Sequence, residues 1–193
     1  AVRDGKADDA LALAEAGQES IRFVEKLDDP VIDPSIQAGF RDLANAQSAE
    51  DALFALGKFR ILCAHNHGRY GVSNWNLRAD GLLPSEELRP RPIVVGVNDY
   101  TVGLFNGDDG VVLGKRAHFG AEDGTREVAR SRLPQHKKGY ASSIHRSQGS
   151  EFDEVMIILP PADARLLTRE LLYVAISRAK RAVVLVGAGD ALR

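Results

Sequence analysis

No phosphate loop of the form G-x-x-x-x-G-K-[ST] occurs in this sequence. The Gly-Lys pairs at Gly5, Gly57 and Gly114 are followed by Ala, Phe and Arg, and none has the earlier glycine. Such a loop cradles phosphates on backbone N–H groups, so no ATP turnover is expected from this segment alone. Cysteine is almost absent. The single thiol, Cys63, cannot form an internal disulfide and lies beside Ile61 and Leu62, which predicts a buried, inert group and a cytoplasmic setting. No apolar run approaches the roughly 18 residues that would cross a bilayer, so no membrane partner is expected. No basic flank leads into a signal-type apolar core, and the missing initial Met predicts a piece of something longer. Metal-ligand patterns are lacking too. His65 and His67 are close in sequence, but no Cys or carboxylate gives zinc spacing, so the histidines read as loop or surface residues. The clustered carboxylates of a nuclease are also missing. Aromatics are only 6% of residues, and Tyr100, Phe105 and Tyr140 are each open to a core role.

What is present suits one soluble domain with a small insertion: 193 residues, 44% hydrophobic and 27% charged. The net charge of −2 is unevenly spread. Residues 1–57 hold five Lys/Arg against twelve Asp/Glu, whereas residues 115–146 hold eight against three. That asymmetry points to one face meeting a polyanion, although a solvated hairpin would explain it as well. Residues 8–27 and 35–57 read as helices, with Ser48 placed to start one before Asp51. Residues 72–83 read as another helix. Near-continuous apolar runs at 60–64, 92–97, 155–159 and 182–186 read as strands covered on both faces, with a helix over 168–180. Between them, Asn106-Gly107 and Asp123-Gly124 mark turns among short runs, the pattern of antiparallel hairpins. The reading is an α/β chain. A helical segment at 1–57 leads into a parallel layer at 58–103 and 138–193, interrupted by a small β insertion at 104–137.

Chemistry concentrates in two strings. Tyr140–Asp153 reads YASSIHRSQGSEFD, with the hydrogen-bonding residues Ser143, His145, Ser147 and Gln148 in one turn and Gly149 free to take φ > 0. Glu170–Gly187 reads ELLYVAISRAKRAVVLVG and carries Arg178 near the end of a helical pattern. A basic residue there is also favoured by the helix macrodipole, which suffices for Lys180 and Arg181. Asp153 and Glu154 precede an apolar run instead of ending one, so they are not read as magnesium ligands.

The order S-x-H-x-S-Q-G-x-E-F resembles motif V of superfamily 1 helicases, with Ser143 where many relatives have Thr, and Y-V-A-I-S-R-A resembles motif VI. Asn98-Asp99 with Leu104–Asp108, and Phe59–Ala64 with Gly71, Val72 and Asn76, extend the resemblance to nearly the whole chain, within the RecD-type DNA helicases. The resemblance implies a RecA-like second motor domain of the P-loop NTPase type, a parallel sheet with helices on both faces, carrying an SH3-like insertion. It implies that Arg178 meets the γ-phosphate of ATP, and that Gln148, Gly149 and Glu151 couple the nucleotide to DNA. ATP and Mg2+ would be held mostly by a first motor lobe outside this sequence, and none is expected bound to this segment. Single-stranded DNA would lie on Ser143, His145, Arg146, Lys137, Lys138, Asn98 and Asn106. The implied partners are that first lobe and the beta and gamma subunits of exodeoxyribonuclease V. A stand-alone or relaxase-type helicase lobe, and a non-enzymatic strand-binding module, are the rival readings.

Overall fold

Two strands buried along most of their length set the architecture. In the computed structural model, which describes residues 20–84, 89–121, 124–161 and 168–187, these are β2 (Phe59–Cys63) and β9 (Phe152–Ile158). They lie side by side in a sheet completed by β1 (Ile21–Val24), β8 (Ala141–Ser143) and β10 (Ala179–Val186). The order is β1-β10-β9-β2-β8, and every pair is parallel. Ile61, Cys63, Met156 and Ile158 point into one core, while Leu62, Val155, Ile157 and Leu185 point into another. A strand with an apolar cover on both faces has no need for polar alternation, which explains the continuous runs.

Helices supply the covers. The first core is roofed by α1 (Ile32–Gly39), α2 (Arg41–Asn45), α3 (Ala49–Leu56) and α4 (Val72–Leu82), and the second by α5 (Arg169–Ile176). Ser48 and Thr168 cap α3 and α5, their hydroxyl oxygens accepting from the N–H groups of Asp51 at 3.1 Å and Leu171 at 3.2 Å. Each satisfies a donor that the first helical turn leaves orphaned. Asn76 on α4 treats the edge strand β8 as a neighbouring strand would. Its Nδ2 donates to the Ala141 carbonyl at 3.1 Å, and its Oδ1 accepts from the Ala141 N–H at 3.0 Å.

The second sheet is antiparallel throughout: β3 (Arg91–Val95), β4 (Asp109–Leu113), β5 (Arg116–Ala121), β6 (Gly124–Ala129) and β7 (His136–Lys138), in the order β6-β5-β4-β3-β7. Ile93, Val95, Leu104, Val112, Ala117 and Phe119 make its core, while Val111 turns the other way, into the helical core. Arg60, only 2% exposed, ties the sheets together from β2. Its Nη2 donates to Asp109 Oδ2 at 3.0 Å, its Nη1 to the Gly139 carbonyl at 2.7 Å, and its guanidinium lies 4.9 Å from the Phe152 ring centre.

Three sequence expectations are corrected. Ile21–Val24 is a strand, not the end of a helix over 8–27, because its backbone pairs with Val183–Val186; residues 8–19 lie outside the described residues. The helix expected over 35–57 is three helices, broken at Phe40 and again between Ala46 and Ser48. The run at 92–97 is not a parallel strand. It forms β3, with Ile93 and Val95 in the antiparallel core and Val94 turned outward against the cleft described below. Burial on both faces makes the run apolar but does not say which way its neighbours run. The antiparallel unit therefore spans 91–138 instead of 104–137.

Candidate nucleic-acid interface

The polar string between β8 and β9 spans the parallel sheet from end to end. It leaves the carboxyl end of β8, where the Ile144 N–H donates to the Cys63 carbonyl at 3.0 Å, and enters the amino end of β9. Ile144 is buried in the second core, and Ser147 is buried with its hydroxyl donating to the Ile144 carbonyl at 2.7 Å. Gly149 takes φ +88°, a conformation that a side chain would strain, and the Ser150 N–H closes back onto the Ser147 carbonyl at 3.0 Å. Gln148, Gly149 and Glu151 face solvent at the amino end.

Arg178 sits against that end. It follows α5 in the turn to β10, and its carbonyl accepts from the Phe152 N–H at 2.8 Å. Its Nη1 donates to the Ser150 carbonyl at 3.1 Å, its Nε to the Val174 carbonyl at 3.2 Å and its Nη2 to Ser177 Oγ at 3.0 Å. The Val174 contact is the helix-terminus role that any cation would enjoy. The Ser150 contact is different, because it fixes the guanidinium on the bend. The fork carries more N–H groups than these bonds use and is only half-buried, so it can also meet an anion. Glu151 pairs with Lys180 at 3.4 Å. Among the described residues no cluster of three or more His, Cys, Asp or Glu could hold a metal ion.

The other end of the string opens on a cleft of about 330 Å³ between α4, β8 and the antiparallel sheet. Ser143, Arg146, Lys137 and Lys138 line it, together with Asn66 and Ser73. Ser143 Oγ accepts from the Arg146 N–H at 3.3 Å. The Arg146 guanidinium crosses to the second sheet, donating to the Val95 carbonyl at 3.1 Å and to Asn106 Oδ1 at 2.5 Å. Asn98 Oδ1 accepts from the Asn106 N–H at 2.8 Å, so Asn98, Asn106 and Arg146 form one network. His145 is exposed beside them.

Lys138 is less available than its neighbour. Its Nζ lies 2.6 Å from Asp80 Oδ2, while Asp80 Oδ1 accepts from Arg89 and from the Tyr140 hydroxyl, each at 3.1 Å. Burial pushes the Asp80 carboxyl up, but the bonds from Lys138 and Tyr140 and the charges of Lys138 and Arg89 outweigh it, so the carboxyl ionises below its usual range. Lys137 is exposed. Burial raises both the Tyr140 hydroxyl and the Cys63 thiol, which keeps them protonated and inert. Asn66, Ser73 and Asp80 were not singled out from sequence. The usable signal was position: they lie on or just before the helix that follows β2, and crevices in α/β sheets open outside the carboxyl ends of strands.

Residues 138–186, which contain both the polar string and Arg178, match the UvrD-like helicase C-terminal domain family. The RecBCD enzyme subunit RecD of Mycobacterium tuberculosis is 40% identical over all of this chain and 36% of its own length. This chain is a RecD homologue. The RecD subunit of Mycolicibacterium smegmatis is 41% identical, again over all of this chain and 37% of its own length. The chain thus spans about a third of the RecD relatives that it matches. Among solved structures, Bacteroides Pif1 bound to ssDNA aligns over 79% of this chain and 48% of its own at 18% identity, with a TM-score of 0.46. No described helix is long and apolar enough to cross a membrane.

Proposed function

We propose that this RecD homologue is the second motor lobe of an ATP-dependent DNA helicase, the alpha subunit of exodeoxyribonuclease V. It would move 5′ to 3′ on single-stranded DNA and act with beta and gamma subunits in double-strand break repair and recombination. The observation that supports this most is the string from Ser143 to Glu151. One end bears Arg146 in the cleft, and the other carries the carbonyl that holds Arg178. A motor needs such a link, because its grip on a strand must change with the state of its nucleotide.

In this reading Arg178 is the arginine that reaches the γ-phosphate when the two lobes close. ATP with Mg2+ would supply the transferring phosphoryl and would be held mainly by a phosphate loop and acidic ligand on the other lobe. Gln148 and Glu151, on either side of the Ser150 carbonyl that holds Arg178, transmit its position along the string. Ser143, Arg146, Lys137 and Asn106 hold the strand through its phosphates and sugars, without reading sequence. The full-length protein tests the scheme. Arg178→Ala should lower steady-state ATP hydrolysis about a thousandfold while leaving single-strand affinity within about twofold of the parent. Unchanged hydrolysis in that variant would remove the assignment.

A further inference from the structure

Two of the few aromatic side chains stand in solvent when the fold has no need of them there. Tyr100 is 80% exposed and Phe105 46%, with ring centres 5.9 Å apart at an interplanar angle of 77°. Both lie on the loop between β3 and β4, on either side of Leu104, which is fully buried in the antiparallel core. The loop is fixed even though the rings are out. Asp99 and Leu104 exchange backbone bonds at 2.7 and 3.0 Å, and Asp99 Oδ1 accepts from the Thr101 N–H at 2.9 Å. Asp108 Oδ2 accepts from the Phe105 N–H at 2.9 Å. The acids of the loop are thereby turned onto its own backbone, while two guanidiniums hold it from outside. Arg126 donates to the Gly103 carbonyl, and Arg146, a wall of the cleft, donates to Asn106 beside Phe105.

We propose that Tyr100 and Phe105 form a stacking site for an unpaired nucleobase on the loop that Arg146 joins to the cleft, with Arg126 and Arg146 facing the phosphates on either side of that base. The inference rests on the strand-binding reading of the cleft given above. An apolar protein partner would use the rings but not the paired guanidiniums, whereas a nucleotide offers a flat π-face and an anion within a few ångströms of each other. The rigid loop lowers the ordering cost of capture, and the open face of Tyr100 accepts any base, as a tracking protein requires.

The test compares two labelled strands of equal length, oligo-dT and an abasic strand, binding to the full-length protein. The parent should prefer oligo-dT. Tyr100→Ala and Phe105→Ala should each cut that preference, by roughly tenfold for Tyr100→Ala, with abasic affinity unchanged. Tyr100→Trp should restore it, which a variant that merely disturbed the loop would not do. If both strands bind but the alanine variants keep the parental preference, the stacking site is wrong and the cleft reading stands. If neither strand competes for Arg146, so that Arg146→Ala leaves both affinities unchanged, the cleft reading fails and takes the stacking site with it.

Discussion

The parallel sheet and the antiparallel sheet obey different rules. In the parallel sheet β2 and β9 lie in the middle with apolar cores on both faces, and the residues with chemistry are pushed to the strand ends, Ser143 at one and Arg178 at the other. In the antiparallel sheet one face keeps a small core, and the outward positions carry charge: Arg116, Glu127 and Lys137. The first sheet supplies position. The second supplies an exposed cationic surface; it is tied to the first through Arg60 with Asp109 and Arg146 with Asn106, and to α4 through Lys138 with Asp80.

That contrast can be broken experimentally. The largest effect should come from the doubly covered sheet. Ile157→Ala removes a fully buried side chain from β9, the middle strand of its sheet, and should cost about 2–5 kcal/mol in urea unfolding, whereas Val128→Ala on the edge strand β6 should cost about 1. Equal losses would mean that the two sheets are packed alike. Next comes the link between them. Arg146→Ala should weaken single-strand binding about tenfold and flatten its salt dependence by roughly one phosphate contact, with hydrolysis at saturating DNA unchanged. A collapse of hydrolysis like that expected for Arg178→Ala would show that the two ends of the string cannot be separated.

The smallest effect concerns pH. Asp80 ionises below its usual range when folded, so its contribution is present above the ordinary carboxylate pKa and is lost as pH falls through the folded value. Unfolding midpoints should therefore drop on acidification less steeply in Asp80→Asn than in the parent. Parallel curves would leave Asp80 without a role in joining α4 to the second sheet.

Parts of this were legible in the residues and parts were not, for identifiable reasons. The runs at 60–64, 155–159 and 182–186 read as strands because burial on two faces leaves a compositional trace, and Ser48 read as a helix start because its hydroxyl has a local partner. Ile21–Val24 was hidden, because its partner β10 lies some 160 residues away in sequence. The run at 92–97 misled for a related reason: apolarity reports cover, and the direction of pairing is a non-local fact. Among the candidate site residues, the string 143–151 and Arg178 stood out as motifs, but Lys138 looked available only until Asp80 was found beside it. Tyr100 and Phe105 could not be told from core residues, because Leu104 between them takes the buried place.

The order of residues by itself determined the strands that bury both faces, the helix caps, the turn at Gly149 and the presence of helicase-like strings near the carboxyl end. These depend on neighbours a few positions apart, where propensity and hydrogen bonding act directly. Only the tertiary structure decided that β3 joins the second sheet, that one nine-residue string connects a cleft to an arginine, and which cations remain open to solvent. Each of these is a contact between residues far apart in the chain, settled by which surfaces can be buried together and not by any stretch that could be read alone.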